Sequence, residues 1–164
     1  MQSKRKRYRI AVSKNSPAAY RRKEIIGNAI SQAQGAAKAG FFLEAITLTE
    51  SLIADRLESH LSYLSQKAGG FEPLGTLITA LEKQPKLNAS YKELLLKDIK
   101  PWTKKRNYAL HEMAKLSETG IESFAEKYAA AKQIFIEGEA IRKKLFKLDK
   151  QEKRNIQNDE LKTQ

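Results

Sequence analysis

The chain has 164 residues, 41% of them hydrophobic, a formal charge of +12, two histidines and no cysteine. That length suits a single domain with a sizeable core. The composition excludes a disulfide framework, a thiolate metal site and, within one chain, a histidine-based metal site.

The positive charge is unevenly placed. Residues 1–23 carry nine Lys/Arg and no acid, residues 142–154 carry seven against two, and residues 24–141 hold 14 basic and 15 acidic residues. A near-neutral centre with basic ends is the pattern of extensions that gather a polyanion around a core with another task. No apolar run approaches the roughly 18 residues of a membrane span. The basic N-terminus has no apolar stretch after it, unlike a secretory signal. The expected setting is the cytoplasm, without a membrane partner.

Residues 1–15 have no helical period and read as a basic, flexible extension. Lys4, Arg5, Lys6, Arg7 and Arg9 are its candidate RNA-binding residues, with a solvated tail as the plainer reading. Ser16-Pro17 is a helix start, with Ser at the N-cap and Pro at the first helical position. The first helix is expected over 17–34. Gly35 and Gly40 either break the chain there or are passed through.

A long helix is expected over 36–67. Phe41, Ala45, Leu48 and Leu52 fall on one face, and Phe42, Ile46, Ile53, Leu57 and Leu64 extend the arc. Thr49, Arg56 and His60 are polar residues inside that arc. A charged group there is either paired or faces a site. Arg56 thus reads as a core-edge salt bridge or a pocket-lining residue, and His60 as a core or interface histidine. Glu50, at the border of the arc, is a candidate partner for Arg56 or Arg106.

Gly69-Gly70 ends that helix. A shorter helix is expected over 73–83, and a turn over 84–88 around Pro85. Ser90 with Glu93 three residues on reads as a capping box, opening a helix to about residue 100 that Pro101 kinks or restarts. Trp102 and Thr103 lead into a basic run, and 117–120 reads as a break. The last helix is expected over 121–153, with Ile121, Phe124, Tyr128, Ala131 and Phe135 as one stripe. Residues 154–164 read as a frayed polar tail. The fold class is therefore all-α: an up-and-down bundle of four to five helices in a domain spanning 16–153.

The chemistry concentrates in Arg106-Asn107-Tyr108-Ala109-Leu110-His111. Asn107 and His111, four apart, share a helix face. A histidine moves protons near neutral pH, a guanidinium holds a phosphate in a planar fork, and an Asn can orient either. These groups suit chemistry on a phosphodiester.

This segment resembles the Arg-x4–6-His motif of the HEPN superfamily, in which a polar residue often follows the Arg as Asn107 does. The run "FFLEAITLTESLIADRLESHLSYL" resembles a core helix of the same domains. The resemblance implies a helical bundle that often forms a homodimer, bringing two motifs into one composite site. It also implies a metal-independent endoribonuclease that needs no cofactor. There the ribose 2′-OH attacks the adjacent phosphate, leaving a 2′,3′-cyclic phosphate and a 5′-OH. By that analogy His111 is the acid–base residue, Arg106 stabilises the phosphorane, and Asn107 orients one of them. RNA is the implied partner, an antitoxin or regulatory protein a further one, and a toxin or phage-defence role is allowed. Members paired with a nucleotidyltransferase antitoxin often carry a Tyr two residues after the His. Met113 stands there, so that pairing is not supported.

Some HEPN domains only bind, so a non-catalytic nucleic-acid-binding or assembly protein is the alternative reading. The chain lacks a Gly-rich phosphate loop, a spaced carboxylate–histidine set and a nucleophile elbow, which argues against a nucleotide hydrolase or a common hydrolase.

Overall fold

The computed structural model describes residues 16–65, 72–113, 115 and 122–162, with the side chains of 153–162 excepted. Every regular element among them is helical: α1 (Pro17–Lys38), α2 (Phe42–Ser65), α3 (Leu74–Glu82), α4 (Ala89–Leu94), α5 (Lys100–Glu112) and α6 (Phe124–Lys162). A π-helical turn, Leu95–Ile99, joins α4 to α5 without a break. The all-α class expected from the sequence is what is observed. The basic extension 1–15 and the break at 117–120 lie outside the described residues.

Ser16 caps α1 as expected, its hydroxyl accepting from the Ala19 amide at 3.2 Å. The helix then runs through Gly35, and the chain turns at Gly40 rather than at Gly35. Phe41 N donates to Ala36 O and Gly40 N to Ala37 O, at 2.7 and 3.1 Å. This is a Schellman turn, which needs a left-handed residue; Gly40 supplies it with φ +87°. Phe41 therefore precedes α2 and is 64% exposed instead of joining the apolar face. The Tyr128 hydroxyl donates to Gly40 O and ties this turn to α6.

α4 is capped by Asn88, whose side chain accepts from Ser90 N at 2.8 Å. Ser90 is thus inside the helix and not its cap. The π-turn has a local cause. Pro101 has no amide hydrogen, and its ring clashes with a carbonyl four residues back in a regular helix. Widening the preceding turn, with Lys100 N donating to Leu95 O, lets the rod continue. α6 begins at Phe124 behind a capping box the sequence reading missed. Ser123 N donates to Glu126 Oε2 at 2.7 Å, and Glu126 N to Ser123 Oγ at 3.2 Å. Its backbone stays helical to Lys162, past the expected end at 153.

The cross-links give the direction of each rod. Arg22 meets Asp55 and Gln32 meets Glu44, so α1 and α2 are antiparallel. Phe42 meets Tyr128 and Arg56 meets Asp149, so α2 and α6 are parallel. Trp102 meets Ile134 and Lys127 reaches the Glu112 carbonyl, so α5 and α6 are antiparallel. Ala45, Ile46, Ile53, Leu57, Leu81, Leu95, Ile99 and Leu145 fill the space between them. α2 packs chiefly along α1 and α6, and touches α5 over a shorter length. Phe124, expected on the apolar stripe of the last helix, is 68% exposed, whereas Ala131 and Phe135 of that stripe are buried.

Trp102 is 1% exposed, and its indole N–H donates to Ile134 O at 2.9 Å. Gly138 lies beneath the ring: a Cβ there would sit 2.7 Å from Trp102 Cζ2. The ring is walled in and has nowhere to move. Gly138→Ala is expected to destabilise the fold by about 1–3 kcal/mol through overpacking, read from the midpoint of chemical denaturation. Gly75→Ala, where a Cβ meets open space, is the control and is expected to cost nothing.

Candidate functional site

Burying Trp102 sets the rotation of α5. Residues advance about 100° each, so Ala109, seven on, returns to the inner face, and it is buried. Arg106, four on, lies about 40° off that face and is half-buried. His111, nine on, points about 180° away and is exposed, as is Asn107. The three motif residues therefore divide into an anchored cation and an exposed pair on one outer face.

Arg106 pairs with Glu50 on α2, their side chains 17% and 15% exposed. It also donates to the Asn107 side-chain oxygen. Burial lowers the guanidinium pKa from its ordinary value, yet an arginine stays charged in a protein. Of the two partners the sequence allowed Glu50, the structure uses Arg106. On another side of α5, the Tyr108 hydroxyl donates to Glu122 at 3.2 Å. Lys127, 8% exposed, donates to the Glu112 and Lys115 carbonyls and so closes the C-terminal end of α5.

Arg56 does not join that cluster. It lies six residues further along α2, about 9 Å of helix rise, and takes the salt-bridge role. Its guanidinium meets Asp149 of α6 at 3.0 Å and lies 4.3 Å over the Phe146 ring. The other side of the balance is His60, fully buried, with Nδ1 3.3 Å from Asp149 Oδ1. The imidazole stacks on Tyr91 at 4.0 Å and 9°. Asp149 was missed in the sequence, although a signal was there: it falls four residues after Leu145, on the buried stripe of the last helix. Among the described residues no three His, Cys, Asp or Glu side chains gather as a metal site. No described helix is long and apolar enough to cross a membrane.

Comparison of the chain with protein-family models, with curated proteins and with solved structures finds no match. The site is therefore read from its own geometry.

Two consequences can be measured. Glu50→Ala leaves a half-buried guanidinium without its counter-charge. A double-mutant cycle with Arg106→Ala is expected to give a coupling of about 1–2 kcal/mol, and a coupling near zero would mean the pair adds nothing to stability. The second concerns Tyr91, whose hydroxyl is buried with no hydrogen-bond partner among the described residues. Burial raises its pKa well above the ordinary value, with the Asp149 charge adding and Arg56 opposing. A raised folded-state pKa contributes stability that is complete below the unfolded value of about 10 and is lost as pH rises toward the folded value. Tyr91→Phe is expected to stay within about 1 kcal/mol of wild type at neutral pH and to lose this part of the alkaline decline. Denaturation series at neutral pH and above pH 10 check both.

Proposed function

We propose that the protein is a metal-independent endoribonuclease of HEPN type, acting as a homodimer on RNA, with Arg106, Asn107 and His111 as its catalytic residues. The observation that carries this reading is the division of labour on α5. A guanidinium is held by Glu50 and Asn107 on one side, while His111 and Asn107 face solvent within one turn of each other. Phosphodiester transesterification asks for a positioned cation for the phosphorane and an accessible imidazole for the proton; Arg106 and His111 of one chain lie about 140° apart around α5, and the proposed dimer is what sets them at one phosphate.

In this mechanism one His111 takes the proton of a ribose 2′-OH. The 2′ oxygen attacks the adjacent phosphorus, and the bond to the 5′ oxygen breaks. A second His111, from the other copy, gives its proton to that 5′ oxygen. The products are a 2′,3′-cyclic phosphate and a 5′-OH, and no water is consumed. In an in-line displacement the 2′ and 5′ oxygens lie on opposite sides of the phosphorus, so a single His111 does not reach both, and the reading takes one imidazole from each of two copies. Arg106 stabilises the charge on the equatorial oxygens. The cytoplasm is the proposed setting, and a toxin or phage-defence effector, restrained by an antitoxin or regulatory protein, the proposed role.

RNA incubated with the protein in EDTA tests this directly. Wild type is expected to cleave and to leave cyclic phosphate ends. His111→Ala is expected to lose at least about a hundredfold in rate with helix content and sedimentation unchanged, since the side chain is exposed. Arg106→Lys is expected to rescue poorly, because an ammonium cannot reproduce the fork, and Asn107→Ala to lose less than either. Cleavage that persists in His111→Ala would overturn the assignment. RNA binding without cleavage by wild type would favour the non-catalytic alternative.

A further inference from the structure

α5 carries four cations, Lys100, Lys104, Lys105 and Arg106, and three of them are matched by a carboxylate. Lys100 meets Glu82 at 2.8 Å, Lys105 meets Glu137 at 2.8 Å, and Arg106 meets Glu50. Lys104 has no ion pair among the described residues and is exposed. Its place on the helix is specific. Lys104, Asn107 and His111 follow at intervals of three and four, so they fall within about 60° of the circumference. The unmatched cation and the exposed imidazole therefore share one face.

We propose that Lys104 binds a phosphate of the RNA strand other than the scissile one, so that substrate lies along the outer face of α5; this rests on the nuclease reading above. Lys104 and His111 are seven residues apart, about 10 Å along the axis. Both side chains lean toward the N-terminus, so the spacing of about 10 Å along the axis carries over to the ammonium and the imidazole. The two groups therefore meet different phosphates of one strand. A lysine suits this task, since it acts as a point charge on a flexible stem and follows a mobile strand. Matching of its neighbours by carboxylates concentrates the attraction at one position instead of spreading it along the helix.

Substrate length and salt test the assignment. On a single-stranded oligoribonucleotide, Lys104→Ala is expected to raise KM severalfold with kcat changed less than twofold. On a dinucleoside monophosphate, which has no second phosphate, the same variant is expected to match wild type. Binding of a 2′-deoxy oligonucleotide, which lacks the attacking hydroxyl, is expected to show a log–log salt slope shallower by about 0.7, the loss of one single-strand phosphate contact. Lys92→Ala, an exposed lysine on α4, is expected to leave KM unchanged. An unchanged slope, or equal effects on short and long substrates, would overturn the Lys104 assignment and leave the nuclease reading standing. Absence of cleavage by wild type, with the slope change intact, would overturn the nuclease reading and leave Lys104 as a nucleic-acid contact.

Discussion

The seating of Trp102 over Gly138 is the constraint from which the geometry of α5 follows. The indole is buried, its N–H is spent on the Ile134 carbonyl, and the absence of a side chain at position 138 lets the ring lie against the α6 backbone. A helix has one rotational freedom about its axis, and this contact removes it. With Trp102 inward, His111 has to be outward and Arg106 has to sit at the boundary. The π-turn before Lys100 contributes to the same end, because it carries the helical backbone past Pro101 into α5 without a break.

A boundary arginine brings its own requirement. Half-buried charge is costly unless it is paired, and Glu50 supplies the pair from α2. Further along the same helix Arg56 reaches Asp149, and His60 completes a second buried polar cluster with Asp149 and Tyr91. The polar residues that interrupt the apolar arc of α2 are thus its links to particular positions on its neighbours. Each pair is satisfied only where α2 stands at one height against α5 or α6.

The helical class and the 73–83 helix were legible in the sequence, because periodicity reports which face is buried. The odd placement of Arg56 and His60 was legible for the same reason. Partners were not. Asp149 lies 93 residues from Arg56, and Trp102 and Gly138 are joined only by the fold. Gly35 and Gly40 could not be told apart in the sequence, because a glycine inside a helix costs only about 1 kcal/mol; the left-handed φ of +87° at Gly40 is what marks the turn. Ser90 misled because Asn88, two residues earlier, caps as well and leaves Ser90 inside the first turn. Arg106, Asn107 and His111 were legible as a group, but the split between anchored and exposed members needed the phase that Trp102 sets.

That split matches two different demands made on cations by phosphodiester chemistry. Stabilising a phosphorane calls for charge already in position, because a group that must reorganise as the reaction proceeds spends part of what it gains. Arg106, held between Glu50 and Asn107, is such a group, and its planar fork keeps donors beyond those its partners use. Capturing a strand calls for the opposite, a charge on a flexible stem that follows the backbone as it arrives. Lys104, exposed and unmatched among the described residues, has that character. Glu50 offsets part of the field of Arg106, so attraction at long range comes from the outer face of the helix, while the anchored guanidinium acts only on what has already docked. In the proposed nuclease, Lys104 gathers the strand on the face it shares with His111, and the anchored Arg106, facing another way on the same helix, is left to the charge of the phosphorane.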